Sequence, residues 1–347
     1  MGMSMKKFLT CTCTLLFIFT GGSFGQVKRD NQQKLAQTGF KFLSVTTDAR
    51  AGAMGEAFTS LQSPSAAMFF NPAGMARLEG FAHVALGQVK WIADIDYAFG
   101  SAAFNPFDGK FGVFGVTVVS VDYGEFKGTI RANNEQGFED TGAFSPNAYA
   151  VGLGYAKAFS DKFSIGGNLK YVKQDLSGDG GGFVVGFDEN GGQRKATYSA
   201  GVAAFDFGIL YRTGFKSLDF GMTVRNFSKE IKYVEEGFQL PLTFKIGVSM
   251  NAMDLLLPEN KTHALLVSVD AVHPRDFAEQ LHLGAEYLFM NTVALRGGYA
   301  KPNDEHGFSA GAGLQKAFKN YNFALDYAYT PFGIFDTVNR VTFQFGF

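Results

Sequence analysis

The chain is short of charge, and almost all of it is without cysteine. Charged residues make up 18% of its 347 residues, against about 25% in an average soluble domain. Both cysteines, Cys11 and Cys13, lie near the start, in a stretch with the marks of an export signal. The mature protein is therefore expected to have no disulfide and no thiolate metal site. The five histidines, His83, His263, His273, His282 and His306, are scattered, with no pair at the i, i+4 spacing of a helical zinc site. Beyond the first 25 residues no stretch approaches about 18 consecutive apolar residues, which excludes helical membrane spans. The formal net charge is -1, and nothing in its distribution points to nucleic acid.

What is plentiful is glycine, 43 residues, and phenylalanine, 39. At the start, Lys6 and Lys7 precede the apolar run Leu15-Leu16-Phe17-Ile18-Phe19 and then Gly21, Gly22, Ser23 and Gly25. This is the pattern of a secretory signal peptide, expected to occupy residues 1–25 with cleavage near Gly25/Gln26. Its loss leaves 29 basic against 32 acidic residues, a net of -3.

The chain ends on an alternating strand. Val341, Phe343, Phe345 and Phe347 form its apolar face, and Thr342, Gln344 and Gly346 its small and polar one. A terminal aromatic on such a strand suits the closing strand of an outer-membrane β-barrel, the remaining way to cross a bilayer. The same period of two recurs along the chain. Leu218, Phe220, Met222 and Val224 oppose Asp219, Gly221, Thr223 and Arg225, and Tyr149, Val151, Leu153 and Tyr155 oppose Ala148, Ala150, Gly152 and Gly154. Glycine and alanine crowd the second face, which suits a lumen that holds water or an inserted segment.

Such runs predict about fourteen antiparallel strands, at 81–90, 94–105, 110–126, 147–160, 162–176, 196–213, 217–228, 240–252, 262–272, 280–290, 292–300, 307–318, 321–330 and 339–347. Long connections, 127–146, 177–195 and 229–239, alternate with tight turns such as Ser160-Asp161 and Lys319-Asn320, as external loops alternate with periplasmic turns. Two connections break the parity: the first hairpin is tight and 252–261 is long. An even count of strands predicts both chain ends on the periplasmic side.

Residues 26–80 lack the barrel pattern and are expected to form a leader and a short helical plug, ahead of a barrel over 81–347. Ser63-Pro64 has the form of a helix start, and Asn71-Pro72-Ala73-Gly74 of its stop. The segment Asp48-Ala49-Arg50-Ala51-Gly52-Ala53-Met54-Gly55-Glu56-Ala57 and the stretch Ser65-Ala66-Ala67-Met68-Phe69-Phe70-Asn71-Pro72-Ala73-Gly74-Met75-Ala76 closely resemble the start of the PorV/PorQ family. These are outer-membrane proteins of the FadL-like barrel class, associated with type IX secretion. The aromatic-Asn-Pro-Ala-Gly element is shared more widely with FadL-type transporters. The resemblance implies a plug motif at Asp48, Arg50, Gly52, Met54, Gly55, Asn71, Pro72 and Gly74. It also implies a carrier that binds the C-terminal signal domain of secreted cargo and passes it to the attachment machinery. The alternative partner it implies is a hydrophobic small molecule entering the lumen.

No enzyme is expected. The loops at Gly178-Asp179-Gly180-Gly181-Gly182 and Asp188-Glu189-Asn190-Gly191-Gly192 follow neither Walker nor EF-hand spacing, and Glu235-Glu236 reads as a solvated loop tip. No Gly-x-Ser-x-Gly nucleophile elbow is read, so acyl hydrolysis has no anchor. No cofactor is implied. The charges expected to face the lumen are Lys170, Asp219, Arg225, Lys245, His282, Glu286, Arg296 and Asp326, positioned to meet Asp48, Arg50 or Glu56 of the plug.

Overall fold

The computed structural model describes residues 38–347 apart from 179–181, 189, 191, 258–261, 304–306 and 336. The signal segment with Cys11 and Cys13, His306, and parts of both glycine-rich loop strings lie outside the described residues.

The strands in chain order are β1 (Ala82–Lys90), β2 (Asp96–Phe104), β3 (Val113–Asp122), β4 (Phe126–Arg131), β5 (Phe138–Phe144), β6 (Asn147–Ala158) and β7 (Phe163–Asp175). They continue as β8 (Phe183–Phe187), β9 (Gln193–Ala196), β10 (Ser199–Arg212), β11 (Asp219–Ser228), β12 (Ile231–Lys232), β13 (Gly237–Phe238) and β14 (Thr243–Asn251). The last six are β15 (His263–Pro274), β16 (Gln280–Phe289), β17 (Val293–Lys301), β18 (Phe308–Phe318), β19 (Tyr321–Pro331) and β20 (Thr337–Gly346). Fourteen of them close a barrel in the order β1-β2-β3-β6-β7-β10-β11-β14-β15-β16-β17-β18-β19-β20, one for each run expected from the sequence. The largest boundary error falls at β3, read to residue 126, because the chain turns after Asp122 into a small hairpin.

Closure is made by β1 against β20, from His83 opposite Gly346 to Lys90 opposite Asn339. The Phe347 carbonyl accepts from the Phe81 and Ala82 amides at 2.7 and 2.9 Å, so the terminal residue is held in the wall. Alternation sorts the side chains as the pleat requires: Val341, Phe343 and Phe347 are 46%, 45% and 41% exposed, while Thr342 between them is fully buried. The exposed apolar face meets lipid, and the chain is an outer-membrane β-barrel.

The long connections identify the external end. Three of them carry two-stranded hairpins, β4–β5, β8–β9 and β12–β13, where the sequence suggested plain loops. Phe347 lies at the opposite, periplasmic end. The N-terminal end lies outside the described residues, and the first described residue, Thr38, bridges to Gln239 in the β13–β14 connection, at the external mouth. From there the chain descends the lumen before starting β1, with Phe40, Phe42 and Leu43 packed at the external level and small residues such as Ala49, Ala51 and Ala53 against the wall below.

Phe345→Asp/Phe347→Asp should sharply reduce assembled, heat-modifiable barrel, since each carboxylate would face lipid at a cost of up to a few kcal/mol near the midplane and less at the interface. Gel mobility before and after boiling reads this out, and normal assembly of the double variant would place β20 outside the wall.

Candidate functional site

The plug is built by a run of local solutions to the same problem, seating backbone in a barrel without water. Asp48 caps the helix Ala49–Ala53, its side chain accepting from the Ala51 amide at 2.9 Å. The wall completes that helix start, because Thr342 Oγ1 accepts from the Ala49 amide at 2.8 Å. Just above, Arg340, buried beside Trp91, donates to the Thr46 carbonyl at 2.8 Å. Ala49, Ala51 and Ala53 are fully buried, which only a helix of small residues permits so close to a sheet. Gly55 (φ 61) and Glu56 (φ 64) then reverse the chain, and the Gly55 amide donates to Ser309 Oγ at 3.0 Å.

Lower down, the Asp270 carboxylate accepts from the Phe58 and Thr59 amides, both at 2.9 Å, and from the Thr59 hydroxyl at 2.6 Å. Above it Met54, Phe58, Leu61 and Phe70 cluster with Ala51, the Phe58 and Phe70 rings 4.9 Å apart. Ser63-Pro64 does not start a helix. A single 3-10 turn runs over Ala66–Phe69, and Ser65 bonds His83 Nδ1 at 2.9 Å instead of capping it. Asn71-Pro72 is not a stop but the start of a second turn, Pro72–Met75. Asn71 knits three elements: its Oδ1 accepts from the Ala73 amide, and its Nδ2 donates to the Thr59 and Ile209 carbonyls at 2.8 and 2.9 Å. Gly74 packs under Ala67 and the Leu61 carbonyl, and Arg77 ties the base to the Ser160 and Asp161 carbonyls.

The lumen charges meet the plug in a chain of ion pairs. Arg50 grips Glu286 through Nε and Nη2 at 2.8 and 2.7 Å, Glu286 accepts from Arg296 Nε at 2.5 Å, and Arg296 Nη1 donates to Asp326 at 2.6 Å. Bidentate guanidinium geometry of this kind is strong and directional. Lys245 approaches Glu56 at 3.9 Å, and Asp219 accepts from Gln62 at 3.1 Å. Asp48, expected to meet a charge, caps its helix instead. Lys170 pairs within the wall, with Asp206 at 2.8 Å and Asn226 at 2.6 Å, beside the bulge where Asn226 (φ 62) stands out of register.

Glycine on the inward face answers the same need. A Cβ at Gly298 would fall on the backbone of Met54 and Gly55, and one at Gly284 would come within 2.6 Å of the Met54 carbonyl oxygen. At Gly166 it would lie 2.5 Å from the Ala73 nitrogen. These positions are bare so that the plug's main chain can touch the wall.

The external third of the lumen differs from the small, polar lining expected. Val89, Tyr97, Val121, Val172, Val202 and Val338 point inward there and pack with Phe40, Phe42 and Leu43 of the plug, because they face aromatic side chains and not water. Burial pushes the Tyr123 phenol at this mouth up to about 12. Below Phe42 lies a small cavity also lined by Thr46, Asn168, Lys170, Asp206 and Arg225. In it Arg225 Nε and Asn168 Oδ1 make no hydrogen bond.

The string Gly307-Phe308-Ser309-Ala310-Gly311 does carry Gly-x-Ser-x-Gly spacing. Ser309, however, lies on β18 with its hydroxyl bonded to the plug at Ala53 and Gly55, and not on the strand-to-helix turn a nucleophile elbow requires. Among the described residues no cluster of His, Cys, Asp and Glu is arranged to hold a metal.

Comparison with known proteins places this architecture. A family model described as type IX secretion system membrane protein PorP/SprF matches residues 128–344. No curated protein matches the chain. Among solved structures it is similar to the Ralstonia pickettii toluene transporter TbuX, at 14% identity over 86% of this chain and 96% of that one, with a TM-score of 0.51. It is also similar to the CymD monoaromatic hydrocarbon channel, at 13% over 87% and 96% (TM-score 0.53), and to the Pseudomonas putida toluene transporter TodX, at 12% over 86% and 96% (TM-score 0.56). At such identities the likeness is one of fold.

Proposed function

The chain belongs to the PorP/SprF family of type IX secretion system membrane proteins, and from that premise we propose that it is a plugged, non-catalytic barrel that docks secreted cargo at its external rim. In the manner of PorV-like carriers, it binds the C-terminal signal domain of the cargo and hands it to the surface attachment machinery. The observation that carries this reading is the seating of the plug. Helix, turns and ion pairs fill the lumen from the Arg340 level to the periplasmic base, leaving the external face as the part free to meet a protein. The plug motif, Asp48, Arg50, Gly52, Met54, Gly55, Asn71, Pro72 and Gly74, serves in this reading to hold that closure.

A second reading has one observation in its favour, the apolar lining of the external third, which would suit a FadL-like passage for a hydrophobic small molecule. Shortening the hairpins within 127–146 and 177–195 separates the two. Loop length has only a weak entropic cost, so the barrel should still assemble and shift on heating, while cargo co-purified from outer membranes should be lost. Intact cargo export with lost uptake of a hydrophobic probe would favour the second reading.

A further inference from the structure

Where the β6–β7 turn meets the β10–β11 turn, the periplasmic rim gathers lysines that the barrel leaves without a counter-charge. Lys157 stands on the outward face of β6, in line with Val151, Leu153 and Tyr155, which are exposed to lipid. It lies opposite Ile165 of β7, which in turn faces Ile209 of β10. Lys162 belongs to the first turn and reaches across to the second, where a Cβ on Gly214 would fall 2.9 Å from its Nζ. Lys216 follows on that second turn, at φ 51. Both turn lysines are exposed.

Among the described residues none of the three makes an ion pair. Asp161 is the one carboxylate within the two turns, and Asp219, at the start of β11, is engaged by Gln62 of the plug. Arg77 adds a fourth cation from the plug base, donating to the Ser160 and Asp161 carbonyls. Aromatic side chains frame the cluster, with Phe159, Tyr211 and Phe215 exposed at 62%, 41% and 58%. A lysine on the lipid face is tolerated where its ammonium reaches polar surroundings at the interface. A free anion would meet the charge and leave the rings bare. A phospholipid of net negative charge meets both, with its phosphate on the ammonium groups and its acyl chains on the rings.

We propose that this sector of the periplasmic rim is a binding site for an anionic phospholipid. Lys157, Lys162 and Lys216 hold its headgroup phosphate, and its acyl chains lie along the wall over Tyr211, Ile209 and Ile165. The site is at the end of the barrel opposite the external mouth, so it is independent of what docks there. Arg77 ties the same β6–β7 turn to the plug, which keeps the lysines in place before lipid arrives.

The test uses the full-length protein, delipidated in a neutral detergent, with lipid retention read by native mass spectrometry. The probes are phosphatidylglycerol, phosphatidylcholine of the same acyl chains, and inorganic phosphate. Three variants accompany the unaltered protein: Lys157→Gln/Lys162→Gln/Lys216→Gln, the same three positions changed to Arg, and Lys110→Gln/Lys319→Gln on other periplasmic turns. Heat-shifted mobility confirms that each is folded. The unaltered protein should hold one phosphatidylglycerol roughly tenfold more tightly than phosphatidylcholine, since each lysine near an anionic headgroup adds to the attraction. The Gln triple variant should lose that preference, while the Arg triple variant and the Lys110/Lys319 variant should keep it. Equal retention of the two lipids by the unaltered protein would overturn the proposal, as would an equal loss in the Lys110/Lys319 variant. Displacement of phosphatidylglycerol by millimolar inorganic phosphate would show a simple anion site and overturn it too. An undiminished preference in the Gln triple variant would do the same and leave these lysines to a periplasmic protein.

Discussion

Glu286→Ala is expected to loosen the plug more than any other single loss of charge. It would leave Arg50 without its bidentate partner and, although Arg296 keeps Asp326, bring two guanidinium groups together with no carboxylate between them. Both Glu286 and Arg296 are buried, and removing one partner of a buried pair costs on the order of 3–5 kcal/mol. The temperature of the gel-mobility shift should fall, and protease should reach the Ala49–Ala53 helix. Adding Arg50→Met should recover part of the loss, because the uncompensated cation is then gone. Strict additivity of the two changes would show that the ion pairs do not anchor the plug.

The larger steric effect is expected one strand away. Gly298→Val would drive its side chain into the Met54–Gly55 backbone, and Gly55 sits at φ 61 with little freedom to retreat. Overpacking against main chain cannot be relieved by a rotamer change, so assembled protein should be nearly lost. The neighbouring Gly297 faces the other way, its nearest contact for a Cβ being the Ser309 carbonyl at 4.0 Å. Gly297→Val should therefore assemble normally. Quantifying the heat-modifiable band in the two variants checks this directly, and equal yields would mean that the glycine row does not seat the plug.

The fourteen strands were legible because each reports itself locally: a side chain facing lipid and the next facing inward differ in chemistry at every step. The lumen charges were legible for the same reason, as Glu286 and Arg296 stand on inward positions of the paired strands β16 and β17. Their pairing was not, since Arg50 and Glu286 are 236 residues apart and nothing local selects one inward carboxylate over another. Asp48 was misread because the capping of a five-residue helix among alanines leaves no hydrophobic period to announce it. The Ser63-Pro64 start failed because Ser65 and Asn71 spend their side chains on wall contacts, with His83 and the Ile209 carbonyl, that a local rule cannot see. The apolar external third was hidden because Val89, Val121 and Val172 each look like ordinary departures from alternation until Phe40 and Phe42 are placed against them.

In the docking reading this barrel works with its lower plug fixed and meets cargo at its external face. Ala49→Cys/Thr342→Cys would bridge plug to wall where the Ala49 amide and the Thr342 hydroxyl lie 2.8 Å apart, clear of the rim. Secreted cargo is then measured from cells carrying the oxidised variant. Export at the unaltered level is predicted, whereas export that stops on oxidation and returns on reduction would show that the plug must leave its seat, and would contradict the account.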